Sequence, residues 1–165
     1  MYKTLVKIRS WLLVFLTHNL ALPMLRLVRT PQKFQFTKEA LYQLPKGTLG
    51  RDLVTMLDEK KLKLLPYYVK HDIKHLLLQY DTSDEGEVCL QCFMLGNRHL
   101  SFPVLATVLY GMITMPEYWS KFKTAYDRGG RCVPIEDWQW FNLLLQPTQS
   151  LINQINENEI DSIHF

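Results

Sequence analysis

A chain of 165 residues with 47% hydrophobic and 21% charged side chains can bury the core of one domain, and its composition excludes a disordered or fibrous polymer. Nineteen Lys/Arg against sixteen Asp/Glu leave a formal charge of +3, with no dense basic stripe outside the N-terminal segment, so nucleic-acid binding is not expected. Three cysteines, Cys89, Cys92 and Cys132, do not make a disulfide framework and point to a reducing compartment.

The chain opens on a basic, apolar segment predicted as a helix over about residues 3–29. It contains Lys3, Lys7, Arg9, Arg26 and Arg29, and no acid precedes Glu39. Its apolar run from Trp11 to Leu16 is too short to cross a membrane, and no small-residue cleavage pattern follows. Contact with anionic lipid, phosphate binding, an organellar presequence and an ordinary core helix all fit this stretch.

Further on, Gly47-Thr48 reads as a turn and cap for a helix from Leu49 to Leu65, ended by Pro66. Tyr67 to Gln79 carries no Gly or Pro and reads as the next helix. Tyr80-Asp81-Thr82-Ser83-Asp84 breaks the pattern, and Thr82 with Glu85 has capping-box spacing. A helix then runs through Val88, Leu90, Phe93 and Met94 to an exit at Gly96-Asn97. Pro103 to Met115 is an apolar helix, and Pro116 begins another that stops at Gly129-Gly130. Trp138, Trp140, Leu143, Leu144 and Leu145 are expected to pack centrally, and Pro147 precedes a last helix with Leu151, Ile152 and Ile155. No strand alternation persists, so the expected fold is all-α, a single domain spanning 1–165 with six to eight helices.

The chemistry concentrates in His71-Asp72-Ile73-Lys74-His75, followed after eleven residues by Glu87. Residues i and i+4 share a helix face, so His71 and His75 can clamp a divalent cation. A carboxylate from the next helix completes an N/N/O set, and acids early on that helix suit its positive end. Asp72 is either a fourth ligand or a partner that orients an imidazole. Lys70 and Lys74 flank the motif and could meet a carboxylate or phosphate head, although such lysines are more often solvated. His18 and His99 are further polar candidates for which core or surface roles serve as well. Cys89-Leu90-Gln91-Cys92 has redox or zinc spacing, but without a second pair it reads as two small buried apolar residues.

The segment from His71 through Asp81-Thr82-Ser83-Asp84-Glu85-Gly86-Glu87 resembles the signature of the coenzyme Q biosynthesis protein 4 family: His-Asp-x-x-His, eleven residues, then Glu with Gly directly before it. Upstream, Leu44-Pro45-Lys46-Gly47-Thr48-Leu49-Gly50-Arg51 is similar to that family's Pro-x-Gly-(Thr/Ser)-x-Gly-(Arg/His) stretch. Gly130-Arg131, Pro134, Asp137-Trp138, Leu145, Pro147 and Leu151 follow in outline, so the resemblance covers roughly residues 25–155. It departs from the family at Lys74, at Asp84-Glu85 and at Gly96-Asn97-Arg98-His99.

That resemblance implies an all-helical protein in the ubiquinone assembly that binds polyprenylated material beside an apolar lipid cavity. It implies a divalent-metal site at His71, Asp72, His75 and Glu87, with zinc the usual occupant and iron or magnesium the alternatives. Its implied chemistry is oxidative decarboxylation at ring carbon 1 of a quinone precursor, and its implied partners are a polyprenylated quinone precursor, other quinone-biosynthesis proteins, a membrane surface and, in some settings, a second copy of the chain. The expected location is cytoplasmic or peripheral to the inner membrane in a bacterium, and the matrix face of the mitochondrial inner membrane in a eukaryote. Zinc has no redox chemistry, whereas two imidazoles and a carboxylate also suit non-haem iron. A non-catalytic prenyl-lipid scaffold and a metal-dependent hydrolase compete with the enzyme. The zinc-protease variant is weakened because Asp72, not Glu, follows the first histidine.

Overall fold

The computed structural model describes residues 34–157. The basic apolar helix predicted near residues 3–29, His18, and the membrane and presequence readings of that segment lie outside the described residues. Among the described residues there are seven α-helices and two 3-10 turns, with no strand, in agreement with the all-α expectation.

Helix α1 (Lys38–Tyr42) is capped by Thr37, whose hydroxyl oxygen accepts from the Ala40 N–H at 3.2 Å. Helix α2 spans Leu49–Glu59, shorter than predicted. Lys61 turns left-handed (φ 56°) and the Leu62 N–H reaches back to the Leu57 carbonyl at 2.7 Å, a six-to-one closure that reverses the chain. Leu62, Leu64 and Leu65 therefore fall in the connection rather than on the helix, and Leu62 and Leu65 are exposed.

Helix α3 (Val69–Leu78) ends at Gln79, again left-handed at φ 61°. Helix α4 (Asp84–Gly96) starts one residue later than the Thr82 capping box predicts. The Ser83 N–H donates to the Asp81 carboxylate at 2.8 Å, and this turn leaves Ser83 extended (φ −76°, ψ 165°) so that its Oγ accepts from the Gly86 N–H at 3.1 Å. Helix α5 (Phe102–Thr114) has Pro103 in its first turn, where a missing N–H is harmless. A 3-10 turn (Pro116–Tyr118) leads into α6 (Trp119–Arg131), and a second (Trp140–Leu143) precedes α7 (Thr148–Ile155).

Helix α4 is the axis of the molecule. It packs on α6 and α5, and α3 lies against α2, α4, α7 and the second 3-10 turn. The α4–α6 seam explains why Gly129-Gly130 does not stop α6 as predicted. A Cβ on Gly129 would overlap the Phe93 carbonyl, and one on Gly96 would overlap the Tyr126 carbonyl. These glycines let two helix backbones touch, and α6 continues to Arg131. At the end of this seam Asn97 is almost wholly buried. Its Nδ2 donates to the carbonyls of Gly129 (2.9 Å) and Val133 (3.0 Å), and its Oδ1 accepts from the Ile135 N–H (2.9 Å).

Two apolar clusters fill the interior. The larger includes Leu49, Leu53, Leu57, Ile73, Leu77, Leu90, Phe93, Trp140, Leu151 and Ile155. Each fully buried side chain of this kind contributes about 1.5–3 kcal/mol. The smaller joins Val88, Cys89, Cys92, Met115, Phe122 and Ala125. Burial pushes the Cys89 thiol up to about 11 and the Cys92 thiol to about 12, as expected of core cysteines. Trp140 and Leu144 are buried as predicted, but Leu145 is exposed because it sits at the turn into α7. There Gly50 N–H donates to the Leu144 carbonyl and Thr148 N–H to the Gly47 carbonyl, both at 2.9 Å, tying the starts of α2 and α7 together.

Candidate metal centre

Histidines 71 and 75 are one turn apart on α3, with ring centres 4.6 Å apart. His75 is buried and His71 is half-buried. Glu87 comes from the first turn of α4. Three local devices bring it back across the gap. Gln79 reverses the chain in a left-handed conformation, the Asp81–Ser83 turn starts α4, and Gly86 lies against the backbone of Asp81. A Cβ at Gly86 would overlap both the carbonyl and the carboxylate of Asp81, so the loop closes at this tightness only with glycine, and the next residue is Glu87.

The three donors converge. His71 Nε2 and His75 Nε2 are 3.1 Å apart, and Glu87 Oε1 lies 3.0 Å from His75 Nε2 and 3.3 Å from His71 Nε2. A cation held at about 2.0–2.1 Å by each donor, with ligand–ligand angles between octahedral and tetrahedral, separates neighbouring donors by about 2.8–3.4 Å. The observed triangle has that size. Among the described residues, His71, His75 and Glu87 form a group able to hold a metal ion, with all donor atoms within 4.8 Å of one another.

The hydrogen bonding also selects the ring atom that faces the ion. His75 Nδ1 is 3.0 Å from the Tyr80 carbonyl, which can only accept, so Nδ1 carries the proton. Nε2 of the neutral ring is then a bare lone pair aimed at His71 and at a carboxylate oxygen. Lone pairs at this distance repel, and either a proton or a cation between them removes the repulsion. The protonated alternative is visible in the acid–base behaviour. Burial lowers the His75 imidazole, but the hydrogen bond and charge of Glu87, the Tyr80 carbonyl and the charge of Asp72 together outweigh it and the net shift is upward. Burial likewise raises the Glu87 carboxyl, yet hydrogen bonds from His71 and His75 bring it down to about 2. The same donors that share a proton in this way have the chemistry to share a metal ion in its place.

Asp72 stands beside this triangle rather than in it. It interacts electrostatically with His71, His75 and Glu87, and burial raises its carboxyl to about 6 in spite of the two imidazoles. Lys70 lies 5.6 Å from the Phe141 ring centre and Lys74 5.7 Å from that of Trp140, so both side chains lean on the second 3-10 turn. His99 pairs with Glu136 at 3.6 Å. Sequence reasoning missed Tyr80, whose carbonyl fixes the His75 ring. A main-chain acceptor leaves no residue signature, although a histidine four residues before a helix exit hints at one.

No protein-family model matches the chain, and no curated protein matches it. Among solved structures, the chain is similar to a protein of Nostoc punctiforme PCC 73102 that carries a provisional assignment as a ubiquinone biosynthesis protein. The two share 18% identity with a TM-score of 0.62, over 92% of this chain and 80% of that one. At this identity the likeness shows a shared fold. No helix among the described residues is long and apolar enough to cross a membrane.

Proposed function

We propose that this protein is a metal-dependent component of ubiquinone biosynthesis, of the coenzyme Q biosynthesis protein 4 kind, which binds or transforms a polyprenylated quinone precursor. The donor triangle of His71, His75 and Glu87 carries this reading, because its size matches a bound divalent cation. The fold shared with the Nostoc protein supports the pathway. His71 Nε2, His75 Nε2 and Glu87 would hold the ion, with Asp72 close enough to adjust their charge. The bound ion would supply Lewis acidity if zinc and one-electron chemistry if iron. Replacement of a ring carboxyl by a hydroxyl releases carbon dioxide and removes two electrons, so that reaction would call for a redox metal with dioxygen as the oxidant. The expected partners are the prenylated precursor, neighbouring quinone-biosynthesis proteins and a membrane surface.

A lipid-presenting role without turnover is the second reading. It is favoured by α5, which exposes Phe102, Leu105, Leu109, Met112 and Ile113 along one side, apolar surface suited to an isoprenoid chain.

Elemental analysis joined to native mass spectrometry of protein purified without added metal tests the proposal. Near-stoichiometric metal in the wild type and its loss in His71→Ala and Glu87→Ala, with the helical spectrum unchanged, is the expected result. Equal metal content in all three proteins would refute it. Conversion of a prenylated precursor by loaded protein separates the enzyme from the presenter.

A further inference from the structure

Arg128, on α6, grips the segment that shapes the three donors. Its Nη1 donates to the Leu78 carbonyl at 2.8 Å, and its Nη2 donates to Asn156 Oδ1 at 3.0 Å. Its guanidinium also lies over two rings, 5.6 Å from the centre of Tyr80 and 5.3 Å from that of Phe93. Leu78 is the last residue of α3, and its carbonyl is one of those a helix leaves without an internal partner. Gln79 then turns left-handed, and Tyr80 presents its own carbonyl to His75 Nδ1. Arg128 therefore holds both ends of a three-residue hook, the carbonyl of Leu78 and the ring of Tyr80.

We infer that Arg128 is a positioning residue of the metal centre: by clamping the Leu78–Tyr80 exit of α3 it keeps the Tyr80 carbonyl on His75 Nδ1 and so aims His75 Nε2 at the ion. The physical need is clear. A left-handed non-glycine residue such as Gln79 is held only where its surroundings over-determine it. Arg128 supplies that constraint from α6, a helix that contributes no donor. A planar, permanently charged fork suits the task, because it can hydrogen-bond two oxygens in its plane while stacking on aromatic faces. Lysine has the charge but not the fork.

This inference rests on the metal reading, and its test separates the two. Zinc is titrated into metal-free wild type, Arg128→Met, Arg128→Lys and Asn156→Ala against a competing chelator, well below each melting temperature. The Nδ1 proton of His75 is followed by nitrogen-15 NMR in the zinc-loaded proteins. Loss of a partner that orients a ligating imidazole weakens metal binding by about 10- to 100-fold. That loss is expected in Arg128→Met, with faster exchange of the His75 Nδ1 proton. Arg128→Lys should show a smaller loss. Asn156→Ala removes another anchor of the guanidinium while leaving its bond to the Leu78 carbonyl, and should lose far less zinc affinity than Arg128→Met. A purely structural arginine would lower the melting temperature of Arg128→Met while zinc affinity and the Nδ1 proton stayed as in wild type, and that result overturns the inference. If Arg128→Met does not fold, Arg128→Lys decides it on the same readouts. A wild type that takes up no zinc, cobalt or iron overturns the metal reading and this inference with it.

Discussion

Helix α4 makes two very different contacts. Along its C-terminal half it meets α6 through Gly96 and Gly129, backbone against backbone, and the seam ends in Asn97 with its polar atoms bonded to main chain. At its N-terminus it meets α3 through two imidazoles and a carboxylate crowded to about hydrogen-bond distance. At the seam the polar atoms of Asn97 are bonded to main chain, and the glycines leave no room for a Cβ. The corner concentrates charge in a half-buried place, an arrangement that a core would not choose for stability alone. The contrast teaches where each contact contributes: the seam holds the fold together, and the corner is available for chemistry.

Substitutions can break or sharpen that contrast. The largest effect is expected at the seam. Gly129→Leu drives a side chain into the Phe93 carbonyl and should destabilise by about 4 kcal/mol or more, or prevent folding, as denaturant melts would show. Asn97→Ala strips bonds from buried backbone groups of Gly129, Val133 and Ile135 and should cost about 3–5 kcal/mol by the same melts, without touching the corner.

At the corner, Gly86→Ala forces the loop off Asp81. It should cost about 1–3 kcal/mol, and it should weaken metal retention more than its change in stability would suggest, because Glu87 moves with the loop. Calorimetry and metal titration on the same sample check both halves.

The smallest effect has the opposite sign. Burial raises the Asp72 carboxyl to about 6, so its charge costs stability above that pH, and the cost is relieved as pH falls through 6 toward the ordinary carboxylate value. The depressed Glu87 carboxyl works the other way. Its contribution is complete above about pH 4.5 and is lost as pH falls toward 2. Metal-free Asp72→Asn should therefore be more stable than wild type by about 1–3 kcal/mol at pH 8, with the gain shrinking below pH 6. The same change should weaken metal binding by removing a nearby negative charge. A wild-type advantage in metal-free melts at pH 8 would contradict this assignment.

Much of the corner was legible in the sequence, because its donors recur at helical spacing and a turn signal stands between them. The all-helical class was legible for the same reason. The seam was not. Asn97 reads as a helix exit and Gly129-Gly130 as a stop, yet their roles depend on Ile135 and on Phe93, far along the chain. Arg128 bonds the carbonyl of a residue fifty positions away, and no periodic pattern records such a tie. The early end of α2 turned on a left-handed lysine, a conformation that composition does not announce. Local periodicity reports what one helix does to itself; main-chain acceptors and close approaches between helices belong to pairs of elements.

The short stretch from Gln79 to Gly86 acts as a ruler. Each residue of α4 turns the helix by about 100°. One residue added between Asp81 and Gly86 would break the turn that starts α4 and draw Gly86 off Asp81, and Glu87 with it, while the packed body of each helix stays as it is. A search for functional kin should therefore weigh the count of residues between the second histidine and the glutamate, together with the glycine before the glutamate, above the identities of the other residues.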